Sequence, residues 1–80
     1  MTERRKTQRY RTLKVGAVIF NNGGGVTCTV RNISAAGACI EVTDPLEIPD
    51  AFTLVVESDN FLRRCHVGWR KQKRIGVAFN

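Results

Sequence analysis

The chain has 80 residues, of which 42% are hydrophobic and 25% charged, and its formal net charge is +6. A chain this short forms one small domain, which excludes any architecture that needs a second hydrophobic core. The excess of Lys and Arg favours an anionic partner, such as nucleic acid, anionic lipid or a phosphorylated small molecule.

Short strands joined by tight turns are the predicted elements. Residues 1 to 11 are almost wholly polar and are predicted to form a mobile basic arm. Alternating residues from Thr12 to Phe20 predict the first strand, and the "NNGGG" stretch at 21–25 predicts a flexible hairpin loop. Five more alternating strands are predicted, in chain order, from Val26 to Arg31, Ala38 to Thr43, Phe52 to Val56, Phe61 to Arg70 and Ile75 to Phe79.

The segments between these strands carry turn signals. "TDPLEIPD" at 43–50 contains two prolines, which resist central strand positions, and "ESDN" and "KQKR" are typical turns. Six short strands at roughly ten-residue spacing predict an all-β fold, and closure is favoured because a small open sheet exposes its edges. The predicted organisation is therefore a flexible basic arm, residues 1–11, followed by a small six-stranded antiparallel β-barrel, residues 12–80.

The cysteines Cys28, Cys39 and Cys65 each lie within an apolar strand pattern, which predicts buried, unpaired thiols. There is no C-x-x-C pair, and His66 is the only histidine, so no metal site is expected. Free thiols fit a reducing cytosol. The sequence lacks a secretory signal and any apolar run of the roughly eighteen residues that a membrane span needs. We therefore expect a cytoplasmic protein without a membrane span.

Arginines in the arm are the first candidate binding residues. Arg5 and Arg9 are four positions apart, with Arg4 and Lys6 beside them. A guanidinium group can bind two phosphate oxygens at once and can stack on a base. Two arginines at this spacing could therefore clamp a nucleotide. The alternative is a solvated basic tail.

The stretch "RNISAAG" at 31–37 is the second candidate. The Asn32 amide can both donate and accept hydrogen bonds, which suits the edge of a guanine. The Ser34 hydroxyl is predicted to point the same way, because strand side chains alternate. Two alanines and Gly37 would keep the surface low enough for a flat ligand. The alternative is a β-bulge or a turn at a strand end.

Together, Arg5-x-x-x-Arg9 and Asn32-x-Ser34-x-x-Gly37 resemble the paired motif of the PilZ domain family. The "VGWR" and "IGVAF" stretches between Val67 and Phe79 resemble the last two barrel strands of that family. The resemblance covers nearly the whole chain. It implies a bacterial, non-catalytic β-barrel that binds the second messenger cyclic di-GMP and needs no other cofactor.

The resemblance also implies a role for each motif residue. Arg5 and Arg9 would bind guanine faces and phosphates from the arm. Asn32 and Ser34 would contact the base and a phosphate on the barrel surface, and Gly37 would give clearance. Many family members carry Asp at the position of Asn32, so this chain keeps the acceptor and lacks the charge.

Two further residues follow from the same resemblance. Arg4, just before the first motif arginine, implies a second, intercalated ligand molecule and hence a ligand dimer. Trp69 matches an aromatic position that can flank the ligand, although a Trp there could equally plug the barrel end. This sequence ends at Asn80, whereas family members often continue into a helix that packs over the barrel.

The expected mechanism is ordering of the arm by the ligand, which an unidentified downstream protein would detect. Motility, polysaccharide and adhesion machinery are all possible partners on family grounds. Catalysis has little support, because a Ser34–His66–Asp arrangement would lack a nucleophile elbow.

A small β-barrel that binds RNA or single-stranded DNA through a basic arm is the main alternative. Such barrels usually expose several aromatics on one strand face, whereas most aromatics here fall in the apolar phase and are predicted core residues. The sequence therefore argues against a nucleic-acid partner. A structural interaction module that has lost its ligand is a third possibility, but both motifs are intact.

Overall fold

The computed structural model describes residues 10–80, which form a closed barrel of antiparallel strands. The strands are adjacent in the order β1-β2-β3-β6-β5-β4. They are β1 (Tyr10–Ile19), β2 (Gly25–Ile33), β3 (Gly37–Glu41), β4 (Ala51–Val56), β5 (Phe61–Lys71) and β6 (Arg74–Phe79). The predicted fold class is confirmed for this part of the chain.

All six predicted strands are present, with small shifts at their ends. β1 begins at Tyr10, two residues before its predicted start at Thr12, and β2 continues to Ile33. The predicted proline-containing loop holds a short 3-10 turn, Pro45–Glu47, and a second 3-10 turn at Glu57–Asp59 joins β4 to β5. Residues 1–9, which include Arg4, Arg5 and Arg9, lie outside the described residues. Within residues 10–80, no helix has the length and apolar character needed to cross a bilayer.

The core is one cluster of inward-facing side chains. In β3, β4 and β6 the apolar alternation matches the buried face, because every second residue points into the barrel. In β1 the inward residues are Gly16 and Val18, whereas Val15 is 71% exposed. Space at Gly16 is tight, because an added Cβ would lie 3.1 Å from the Val55 carbonyl oxygen. The cluster comprises Val18, Cys28, Val30, Ala38, Ile40, Val42, Ile48, Phe52, Leu54, Val56, Cys65, Ile75 and Val77.

The thiols are free and buried, as predicted. Burial raises the pKa of the Cys28 thiol and of the Cys65 thiol to about 11, since a low-dielectric interior disfavours the thiolate. Cys39 is also buried, but it lies outside the core cluster. Its neighbours Ala38 and Ile40 point inward, so Cys39 points to the outer face of β3.

Arg63 interrupts the apolar phase of β5, and the structure shows how it is accommodated. It pairs with the inward-facing Leu54. Its guanidinium group lies 5.0 Å from the centre of the Phe79 ring, and it donates a 3.4 Å hydrogen bond to the Asn80 carbonyl. The stem therefore lies along the apolar end of the barrel while the charged group stays in solvent.

Candidate functional site

A β-bulge at Arg31 determines where Asn32 points. The β2–β3 pairing runs from Val30↔Ile40 to Asn32↔Cys39, so Arg31 is an extra residue in β2. Val30 points into the core, and one inserted residue reverses the alternation beyond it. Ile33 consequently packs against the core, and Asn32 faces outward, as the predicted contact with a ligand on the barrel surface requires.

Ser34 holds together the loop between β2 and β3. Its backbone N–H donates to the Gly37 carbonyl at 2.8 Å. Its hydroxyl accepts from the N–H groups of Ala36 at 3.2 Å and Gly37 at 3.3 Å, and it donates to the Gly37 carbonyl. The side chain is buried, at 8% exposure. The structure therefore contains a turn at the strand end, which the sequence analysis gave as an alternative for this stretch.

The alternation argument does not extend to Ser34, because β2 ends at Ile33. The Ser34 hydroxyl is directed into its own loop, and the prediction that it points the same way as Asn32 does not follow from strand geometry. A contact between Ser34 and a ligand stays a prediction.

The glycine at 37 is required by the packing of β3 on β6. An added Cβ at Gly37 would overlap the Val77 carbonyl oxygen, which is fixed in the sheet. The adjacent Ala36 carbonyl accepts a 2.9 Å hydrogen bond from the Phe79 N–H, so the loop is fastened to β6. Packing alone accounts for Gly37, and its role in ligand clearance stays a prediction.

The sheet register places two predicted site residues, Asn32 and Trp69, in one row across the barrel. Arg11 pairs with Asn32, Asn32 with Cys39, Cys39 with Gly76, and Gly76 with Trp69. We call these five residues the site row. Asn32 and Trp69 are three strand intervals apart, which corresponds to about 14 Å measured along the curved sheet.

Trp69 lies against Gly76 on the outer face. A second bulge between Val67 and Trp69 reverses the alternation in β5. An added Cβ at Gly76 would overlap the indole ring, including Nε1, and Trp69 remains 49% exposed. Trp69 therefore does not plug the barrel end. Between it and Asn32, the row contains the small residues Cys39 and Gly76, both of which are buried, and the indole ring covers Gly76.

Charged residues occupy the neighbouring row on the same face. The Glu41 carboxylate lies 3.0 Å from Nη1 of Arg31 and 3.9 Å from Nε of Arg74. Arg74 pairs with Glu41 on one side and with Lys71 on the other. This cluster was not predicted, because its contacts depend on the pairing of β2, β3 and β6. The spacing in β3 could have indicated part of it, since Glu41 is two residues after Cys39 and therefore lies on the same face of the strand.

Aromatic residues mostly belong to the core, as predicted. Phe52 is fully buried, and Phe20, Phe61 and Phe79 pack against the core cluster. Of the aromatic side chains described beyond residue 12, Trp69 is the exposed one. A single exposed ring does not form the series of stacking surfaces that is typical of single-strand-binding barrels.

His66 is an exposed strand residue, and its Nδ1 lies 2.7 Å from the Asn80 side-chain oxygen. The Ser34 hydroxyl bonds within its own loop, so the two residues do not form a nucleophile–base pair. Within residues 10–80, no three His, Cys, Asp or Glu side chains gather as a metal site.

Three grooves of about 340 to 460 Å³ lie among residues 20–29, residues 41–49 and Lys73. None of the three is lined by Asn32, Ser34, Gly37 or Trp69. The candidate site is therefore distinct from these three grooves.

Comparison with known protein families gives one match. The family model described as "PilZ domain" matches residues 3–80, which is essentially the whole chain. No curated protein matches the sequence.

Proposed function

This chain belongs to the PilZ domain family, and from that premise we propose that it is a non-catalytic receptor for cyclic di-GMP. Family membership supports the receptor role and identifies the ligand class. The proposal for this particular chain adds which residues bind the ligand and how binding is detected.

The site row is the observation that carries the proposal. In this row Asn32 and Trp69 both point outward, and the two residues between them are small. Tyr10 pairs with Ile33 at the end of β2, so the barrel begins beside the loop that holds Ser34. Arg9 directly precedes Tyr10 in the sequence, and we propose that the arginine motif reaches the site from this edge.

In the proposed complex, Arg5 and Arg9 bind guanine faces and phosphates, since guanidinium groups suit both. Asn32 hydrogen-bonds a base edge, and Trp69 flanks a base. Ser34 and Gly37 keep the loop in shape, and Ser34 also contacts a phosphate.

Arg4 is proposed to hold a second, intercalated ligand molecule. The ligand stoichiometry tests this part of the proposal separately. A ratio of two molecules per chain that falls to one in Arg4→Ala is the expected result.

Signalling is proposed to occur through the arm. Ligand phosphates would neutralise Arg4, Arg5 and Arg9 and draw residues 1–9 against the site row, which gives a downstream protein a new surface to bind. The three free thiols fit a cytoplasmic location, where such a partner in motility, polysaccharide export or adhesion would be found.

Calorimetric titration of cyclic di-GMP is the decisive experiment. The parent chain should bind saturably, and Arg9→Ala should weaken binding by about 100-fold, which corresponds to loss of a bidentate charged contact. Arg64→Ala is the matched control, because it removes one exposed arginine that pairs with Thr53 on β4, away from the site row.

GTP and a short single-stranded RNA are run beside the cyclic dinucleotide. Salt-sensitive RNA binding without cyclic dinucleotide binding would replace the receptor proposal with the nucleic-acid alternative. Amide NMR spectra with and without ligand test arm ordering, and unchanged signals from residues 1–9 would contradict it.

A further inference from the structure

One carboxylate is shared by two guanidinium groups beside the site row. Glu41 is the acid, and Arg31 and Arg74 are the bases, at 3.0 and 3.9 Å. Only the shorter contact is a hydrogen bond. All three side chains are partly exposed, between 36% and 51%, so the two ion pairs are screened by solvent and weak.

This cluster adjoins the site row. Glu41 is two residues from Cys39 in β3, and Arg74 is two residues from Gly76 in β6, so each lies about 7 Å along its strand on the same face. Arg31 is the bulged residue directly before Asn32. A ligand held between Asn32 and Trp69 would therefore be next to both guanidinium groups.

The charges of this row do not balance. Arg31, Arg74 and the neighbouring Lys71 carry three positive charges, and Glu41 carries one negative charge. The remaining two positive charges equal the charge of the two phosphodiester groups of a cyclic dinucleotide. A phosphate could also replace Glu41 on Arg31, because a guanidinium group binds phosphate and carboxylate with the same planar geometry.

We infer that Arg31 and Arg74 are additional phosphate-binding residues and that Glu41 competes with the ligand for them. This inference rests on the proposed function, and it deepens it by naming the residue that sets ligand affinity. In the free protein Glu41 orients Arg31 and Arg74. In the complex a ligand phosphate takes its place, and Glu41 lowers the affinity by occupying and partly neutralising the two arginines.

Glu41→Gln tests the inference, because it removes the charge and keeps the size and a hydrogen-bond acceptor. Titration with cyclic di-GMP at low salt should show an affinity three- to tenfold higher than that of the parent. The gain should shrink as salt rises, since screening weakens the competing ion pairs. Glu47→Gln is the matched control, because it makes the same charge change at an exposed loop residue and should alter affinity by less than twofold.

Two more variants separate binding from fold. Arg31→Ala should weaken binding several-fold, and in Glu41→Gln/Arg31→Ala the gain from Glu41→Gln should largely disappear, as expected for coupled residues. Thermal unfolding of each variant identifies any loss of binding that comes from a damaged barrel. An additive double variant, with each change keeping its full separate effect, would overturn the competition.

The outcomes distinguish this inference from the receptor proposal. If Arg9→Ala abolishes binding while Glu41→Gln binds no better than the parent, the inference is wrong and the receptor proposal stands. If the parent itself does not bind cyclic di-GMP, both are wrong.

Discussion

The outer surface of the barrel has two faces of opposite character. The site face carries the described side chains of the site row and their charged neighbours, namely Asn32, Cys39, Gly76, Trp69, Arg31, Glu41, Arg74 and Lys71. The aliphatic face consists of outward residues of β1, β4 and the start of β5, namely Leu13, Val15, Ala17, Ile19, Val55 and Leu62. Leu13, Val15 and Leu62 are 66% to 71% exposed.

The backbone differs between the two faces as much as the side chains do. Three register shifts interrupt the ladders, and they lie between Arg11 and Lys14, between Val30 and Asn32, and between Val67 and Trp69. Each is directly beside a member of the site row. The β1–β4 and β4–β5 ladders under the aliphatic face run without a shift. Because a bulge re-aims the next side chain, the shifts in β2 and β5 set the directions of Asn32 and Trp69, while the shift in β1 also includes Leu13 of the aliphatic face.

The largest expected effect is on the site face. Gly37→Ala should lower the free energy of unfolding by about 3 kcal/mol, because its Cβ would meet the backbone of β6, which cannot move without breaking the ladder. Urea denaturation measures the change. Gly68→Ala is the matched control, since its Cβ would have its nearest neighbour at 3.5 Å, an ordinary contact. Equal stability of the two variants would show that β3 and β6 can separate at no cost.

An intermediate effect is expected for Ser34→Ala. The change removes the acceptor of two N–H groups in a buried loop, and it should cost about 1–2 kcal/mol of unfolding free energy. Ser58→Ala, in the exposed turn before β5, is the matched control and should be neutral within about 0.5 kcal/mol. If Ser34→Ala is equally neutral, the loop is held by its backbone hydrogen bonds alone.

The smallest effects on stability are expected for two variants that compare ligand binding on the two faces. Trp69→Ala and Leu62→Ala both shorten an exposed side chain of β5, and each should change the unfolding free energy by less than about 1 kcal/mol. Titration should nevertheless show that Trp69→Ala weakens cyclic di-GMP binding about tenfold, as expected for loss of one stacking contact, whereas Leu62→Ala binds like the parent. A binding loss in Leu62→Ala would place the ligand on the wrong face.

Much of the fold could be predicted from the sequence, because strand alternation and turn residues are local signals. β3, β4 and β6 alternate cleanly, and closure of the barrel follows from avoiding exposed edges. The sequence could not predict which β1 residues point into the barrel, since both alternating sets of β1 side chains contain apolar residues. The barrel interior is narrow at Gly16 because Val30 and Val55, which are distant in sequence, lie against it.

The site was predictable only in part, for a similar reason. The outward direction of Asn32 depends on the bulge at Arg31, which alternation cannot reveal. The pairing of Cys39 with Gly76, and the contact of Glu41 with Arg31, require the register of β2, β3 and β6. Register is a property of paired strands, so a single strand's sequence does not contain it.

The buried thiols can report local opening of the barrel. Cys28 and Cys65 lie on β2 and β5, and both are almost fully removed from solvent. A thiol reagent attacks the thiolate, and with a pKa of about 11 each thiol stays protonated and shielded at neutral pH until its strand separates from its neighbours. The modification rate of each cysteine therefore measures the free energy of local opening. One reagent reads this quantity at two separate places, with no probe added to the protein.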